Sequence, residues 1–286
     1  MELQVTAYEV DKDGVAVVTL RRPGRGNSWT DRMNAEYRWI VARLEADPAA
    51  RVIVLTGEGQ QFCVGADFKS LDHYTDPRND YAAHHRGEDL ARPGHGVRPE
   101  FDHDVVWQWG VPKPIVAAIN GACAGIAVSL ACFCDLRYAA AGAKFTLASA
   151  RLGLPAEYGL SWLLPRMVGV TNAADILLTG RIFTAEEALA MGLLNAVFPA
   201  DEFRPRVMEI ARSMAITVSP AAMAVSKRQL YGELLSADVG ESVERSKRLL
   251  GQMMRLPDYK EGVAALQAKR RPLFAGLAPE QLKALR

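Results

Sequence analysis

The chain has 286 residues, enough for one or two domains with a sizeable core. Apolar residues make up 49% and charged residues 23%, and the formal net charge is only +1, so a strongly basic surface for polyanions is excluded and nucleic acid is not an expected partner. The opening MELQVTAYEVDKDG lacks the basic-then-apolar pattern of a secretion leader. The four cysteines, Cys63, Cys123, Cys132 and Cys134, lie in apolar stretches without zinc-ligand spacing, and are expected as reduced core residues of a cytoplasmic protein.

In chain order, Gly14 leads a predicted strand from Val15 to Leu20, which Arg21-Arg22-Pro23-Gly24 stops. Thr30 is placed to cap a helix running to about Ala46, with Met33, Tyr37, Ile40 and Leu44 on one face and Asp47-Pro48 at its end. Four consecutive apolar residues from Val52 to Leu55 predict a strand buried on both faces. The glycine-rich TGEGQQFCVGADFKSL at 56–71 matches neither a phosphate-cradling nor a dinucleotide motif. Residues 72–110 are polar and hold all five histidines: His73, His84, His85, His95 and His103. Their spacing fits no familiar ligand set, so no metal is expected, and residues 72–104 read as a loop forming a lid.

The stretch at 114–138, PIVAAINGACAGIAVSLACFCDLRYA, organises the rest. Ile115 to Ile119 reads as a buried strand, the glycines as a turn, and the apolar run from Gly125 to Phe133 as a buried helix. The first amides of such a helix lack partners within it, and they suit an anion or a carbonyl oxygen becoming one. Asn120, Ser129 and the glycines interrupt any run of the ~20 apolar residues that a membrane span needs. Further on come a short strand at 144–147, a helix from about 161 to 168, another from Thr171 closed by Gly180, a capping box of Thr184 with Glu187 whose helix Gly192 closes, and a short strand at 197–198. From Glu202 onward the chain reads as helical: 202–217, a helix opened by Ser219-Pro220, 240–254 and 257–269. Strand–helix–strand alternation followed by helices is an α/β pattern.

Several ordered stretches together resemble the crotonase (enoyl-CoA hydratase/isomerase) superfamily over nearly the whole length: LRRPGRGNSWT, RVIVLTGEGQQFCVGAD, KPIVAAINGACAG, RLGLPAEYGLSWLLPRMVG, LTGRIFTAEEALAMGLLNAVF and DYKEGVAALQAKRRPLF. The resemblance implies a crotonase-like ββα spiral core over 1–200 that carries an acyl-CoA site, and a C-terminal helical trimerisation region over 201–286. It implies a homotrimer or homohexamer, and coenzyme A as part of the substrate rather than a separate cofactor. By the same resemblance, the backbone amides of Ala66 and Ile126 receive the thioester oxygen. The loop from Arg25 to Ser28 and a strand Ala66-Asp67-Phe68 hold CoA, with Gly125 beside the acyl group.

The chain departs from the family pattern at three places. Gly125-Ile126-Ala127 replaces three glycines, so the Ile126 side chain narrows the pocket. The two glutamates that handle water in hydratases match Ser129 and Ser149, which lack the charge for that work. Glu157 matches the carboxylate that isomerase-type members use to move a proton, and Leu160 and Trp162 close by in sequence are expected to desolvate it partly. The resemblance therefore implies an enzyme that moves protons through a thioester enolate. Hydration, hydrolysis of an acyl-CoA, and non-catalytic acyl-CoA binding are the alternatives.

Overall fold

The computed structural model describes residues 1–76, 78–79 and 90–277. Its elements in chain order are β1 (Thr6–Val10), β2 (Val15–Leu20), α1 (Asp31–Ala46), β3 (Val52–Gly57), α2 (Phe68–His73), β4 (Ile115–Ile119), β5 (Cys123–Ala124), α3 (Ile126–Cys132), β6 (Leu136–Ala140) and β7 (Lys144–Thr146). Then follow α4 (Leu160–Thr179), β8 (Phe183–Thr184), α5 (Ala185–Ala190), β9 (Ala196–Phe198), α6 (Phe203–Thr217), α7 (Pro220–Glu233), α8 (Val239–Met253) and α9 (Pro257–Gln267).

The main sheet has the order β1-β2-β3-β4-β6-β9, antiparallel at β1–β2 and parallel elsewhere. A smaller sheet, β5-β7-β8, stands apart from it. Side chains alternate across a strand, so β3 divides its apolar run between two cores. Ile53 and Leu55 face α1, where Met33, Tyr37, Ile40 and Leu44 are buried. Val52 and Val54 face α6, where Phe203, Val207, Ala211 and Ala215 pack against them. The expected two-faced burial of this strand is thus what the fold shows.

Local signals set the helix ends. The Thr30 side chain accepts from the Met33 amide and Asp47 closes α1. Thr184 and Glu187 form a full capping box at α5. Gly169, at φ 76 and ψ 160, breaks α4 where the sequence places a gap between two helices. Two details differ from expectation. β1 was not read as a strand: it is an edge strand with partly exposed positions, so its apolar signal is weak. Met223 and Val225 in the tail are buried within the chain itself, and Val225 packs with Ala221, Ala224 and Leu277. The tail is also tied to the core by a Lys227–Asp135 ion pair of 2.7 Å.

Within the stretch expected to form a lid, residues 77 and 80–89 lie outside the described residues, as do His84 and His85. Among the described residues, no group of three or more His, Cys, Asp or Glu side chains is gathered as a metal site. None of the described helices is long and apolar enough to cross a membrane.

Candidate active site

Two glycine turns meet beside the small sheet. The Cys63 N–H donates to the Ala122 carbonyl at 3.0 Å and the Ala124 N–H to the Cys63 carbonyl at 3.0 Å, a parallel bridge pairing Cys63 with Cys123. Carrying that register three residues forward sets Ala66 opposite Ile126. The backbones approach closely on the way: a methyl group added to Gly125 would lie 3.7 Å from the Gly65 Cα. Gly65 has φ +97 and Gly125 has φ +52 with ψ −125, conformations that glycine takes readily and other residues do not.

Hydrogen bonding determines where the two amides point. The Trp29 N–H donates to the Gly65 carbonyl (2.7 Å), and the Asp67 N–H donates to the Trp29 carbonyl (3.0 Å). In this parallel bridge the N–H of Ala66 itself faces away from Trp29. Among the described residues neither the Ala66 N–H nor the Ile126 N–H donates to any acceptor. The helix that Ile126 opens has only seven residues, so its macrodipole is small. Two adjacent, unsatisfied backbone donors, rather than a helix dipole, are what this place offers an oxygen.

Expected CoA-contact residues sit beside these turns, in a different form from that anticipated. Ala66, Asp67 and Phe68 do not make a strand. Ala66 forms a single bridge, and Asp67 is the N-cap of α2 and accepts from the Lys69 amide. Phe68 opens that helix with its side chain largely exposed. The cause is local: the Asp67 carboxylate satisfies the first free amides, and helix geometry wins over extension. Arg25 lies exposed in a turn at Pro23–Arg25. Ser28 is buried and donates to Asp67 Oδ2 at 3.0 Å.

Arg22 ties this loop together. Its guanidinium donates to the Ser28 carbonyl and hydroxyl and lies 2.9 Å from Asp67. Burial works against the Asp67 charge, but the Lys69 amide, Arg22 and Ser28 outweigh it and hold the carboxyl below its ordinary value. Asn27, in a left-handed conformation, donates to the carbonyls of Glu58 and Gln61. Asn120 reaches the same loop from β4, accepting from the Gly57 amide and donating to the Gly59 carbonyl. Sequence reading took Arg22 only as part of a strand stop and gave Asn27 no role. A polar residue at each end of a glycine loop was the signal available.

Glu157 is brought near by β7. The Gly125 N–H donates to the Thr146 carbonyl at 3.0 Å, and three residues later Ser149 donates its hydroxyl to Glu157 Oε2, also at 3.0 Å. Glu157 is half-buried. It begins a tight turn in which Tyr158 (φ 52) and Gly159 (φ 78) are both left-handed and the Leu160 N–H returns to the Glu157 carbonyl. A bulky residue at positive φ is uncommon and strained; here the turn aims the carboxylate. Phe133 packs against this turn, with a methyl group added to Gly159 only 3.5 Å from its ring. Ser129 is buried in α3, and its hydroxyl has no partner. Of the expected residues, then, Gly125, Ile126 and Ala66 come together, Ser149 joins Glu157, and Ser28 joins Asp67. The cysteines take no part in such chemistry: burial raises the Cys63 thiol to about 12 and the Cys132 thiol to about 11, far from a nucleophile at neutral pH.

This spiral α/β fold, with two free amides from facing glycine turns and a carboxylate beyond them, defines a class of acyl-thioester enzymes. The model of the enoyl-CoA hydratase/isomerase family matches residues 11–277. The chain belongs to that family, the crotonase superfamily of acyl-CoA enzymes. It is 34% identical over 266 residues to a 1,2-epoxyphenylacetyl-CoA isomerase of Escherichia coli, covering 92% of this chain and 95% of the relative. It is 31% identical over 276 residues to an enoyl-CoA hydratase of Alternaria alternata, covering 95% of this chain and 86% of that one. The crystal structure of an enoyl-CoA hydratase from Bacillus anthracis superposes with a TM-score of 0.83 at 27% identity, covering 96% of this chain and 100% of that chain.

Proposed function

We propose that this protein is an isomerase-type acyl-CoA enzyme that moves a proton through a thioester enolate. The Ala66 and Ile126 amides receive the thioester oxygen and stabilise the negative charge that gathers there when C2 loses a proton. Glu157 takes that proton and returns it at C4, so a 3-enoyl thioester becomes a 2-enoyl thioester with no net change in atoms. The observation that carries this reading is the pairing of the two unsatisfied amides with a single nearby carboxylate, Glu157, held by Ser149. Ser129 and Ser149 stand where hydratases use glutamates, which disfavours hydration by a glutamate pair. The relative named as an epoxyphenylacetyl-CoA isomerase agrees with rearrangement over hydration. Coenzyme A enters as part of the substrate, held along Arg25, Ser28, Asp67 and Phe68.

The test is Glu157→Gln with a panel of 2-enoyl-, 3-enoyl- and dienoyl-CoA thioesters. Gln keeps the shape but takes no proton, so turnover of the 3-enoyl thioester and α-proton exchange in heavy water should both fall by roughly 10²–10⁴. Thioester affinity should stay within a few-fold. A variant turning over near the parent rate would assign the base elsewhere. A parent that binds thioesters but exchanges no α-proton would be an acyl-CoA-binding protein.

A further inference from the structure

Ser129 is the most informative side chain that the mechanism leaves unused. It is 1% exposed, and its Oγ has no hydrogen-bond partner. A serine inside a helix usually turns its hydroxyl back onto the carbonyl four residues earlier; here that is Gly125, and no such bond forms. An unpaired buried hydroxyl costs about 1–3 kcal/mol, so the fold keeps this one at its own expense. The direction of the side chain follows from helix geometry. Cα–Cβ bonds tilt toward the N-terminus, and a helical residue covers the turn before its own Cα. Ser129 follows Ile126 by three residues and shares its face of α3. Its hydroxyl therefore leans toward the Ile126 amide, the place that receives the thioester oxygen. Ser149 cannot relieve it, because the Ser149 hydroxyl already serves Glu157 at 3.0 Å.

We propose that Ser129 sets substrate class by hydrogen-bonding an oxygen carried on the acyl group near the thioester, so that the preferred substrates are oxygenated acyl-CoA thioesters (hydroxy, oxo or epoxide) rather than plain hydrocarbon chains. The inference rests on the acyl-CoA reading of the site. A hydrocarbon chain leaves the buried hydroxyl unpaired in the complex, whereas an oxygenated chain pairs it. Sites built to bond a substrate oxygen discriminate against the analogue lacking it far more strongly than a methylene pocket discriminates by size. Serine suits either partner, since its hydroxyl both donates and accepts.

Titration calorimetry of the full chain with free coenzyme A, butanoyl-CoA, 2-hydroxybutanoyl-CoA and 3-hydroxybutanoyl-CoA tests this. At least one hydroxy thioester should bind about tenfold more tightly than butanoyl-CoA. Ser129→Ala should remove that preference by weakening the hydroxy thioester alone. Should Ser129→Ala fold poorly by circular dichroism, Ser129→Cys keeps the size with a weaker donor and should narrow the gap. Equal affinities in the parent, or a preference that survives both substitutions, would overturn the assignment of Ser129 and leave the acyl-CoA reading intact. If no thioester binds more tightly than free coenzyme A, the acyl-CoA reading itself fails, and this inference with it.

Discussion

Gly125→Ala separates the backbone requirement of the amide site from the stability of the fold. The glycine has φ 52 and ψ −125, a region that an alanine occupies only with strain. Space is not the difficulty, since the added methyl would sit 3.7 Å from the Gly65 Cα, an ordinary contact. The cost is therefore backbone strain, on the order of 1–3 kcal/mol. The chain relieves it by rotating the peptide between residues 125 and 126, and that peptide carries the Ile126 N–H. Losing one donor of an oxyanion pair costs about 3 kcal/mol at the transition state, roughly a hundredfold in rate. Gly142→Ala is the control. Gly142 also has a positive φ, 76, with nothing within 4 Å of the added methyl, and it lies in the turn between β6 and β7. Urea denaturation and turnover of a 3-enoyl thioester should be measured for both variants. Both should lose stability, and only Gly125→Ala should lose turnover. If Gly125→Ala turns over within a few-fold of the parent while showing the expected stability loss, the Ile126 amide does not serve the oxygen.

Ser149→Ala removes the hydroxyl that holds Glu157 Oε2 at 3.0 Å; steady-state kinetics should show kcat down about tenfold with KM nearly unchanged, and Ser149→Thr should restore most of it. Glu36 is buried and accepts from the Thr6 hydroxyl, Arg32 and the amides of Gln4 and Val5, which outweigh burial and hold its carboxyl below the ordinary value of 4.5. Its contribution is present above that value and lost as pH falls through it, so Glu36→Gln should lower Tm at pH 7 by thermal denaturation, with the gap to the parent closing in acid. Val239, Val243, Leu250 and Met254 form an exposed apolar stripe on α8, which has no buried residue within the chain. We expect assembly as a trimer or a dimer of trimers with the tail at the contact, and light scattering should find smaller species for Val243→Glu with Leu250→Glu. A stable parent monomer at micromolar concentration would remove that expectation.

What the sequence made legible was local chemistry. Thr30 and Asp47 bound α1 because capping residues act within one turn, and Thr184 with Glu187 does the same for α5. The two-faced burial of β3 was readable because four apolar residues in a row leave no face for water. β1 was not readable, since an edge strand with partly exposed positions gives no clean alternation. The six residues of α2 were too few to show a helical period, so Asp67 read as part of a strand rather than as the cap it is.

The site itself depends on long-range register. Ala66 and Ile126 face each other because Cys63 pairs with Cys123, sixty residues away in the chain, and nothing in either segment alone specifies that pairing. Resemblance to a family supplied the two amides, and the bridge supplies the physical reason they meet. The Ser149–Glu157 contact spans a short 3₁₀ turn, an exposed loop and a strained Tyr158, none of which carries a periodic signal. The same division explains why Ser129 and Ser149 looked alike in the sequence, both as serines in place of glutamates. Packing gives them different work. Ser149 is spent on a carboxylate, and Ser129 is buried with its hydroxyl unpaired. Replacing two glutamates by serines therefore changed more than charge: one serine now holds the remaining carboxylate, while the other is left facing whatever the site takes in.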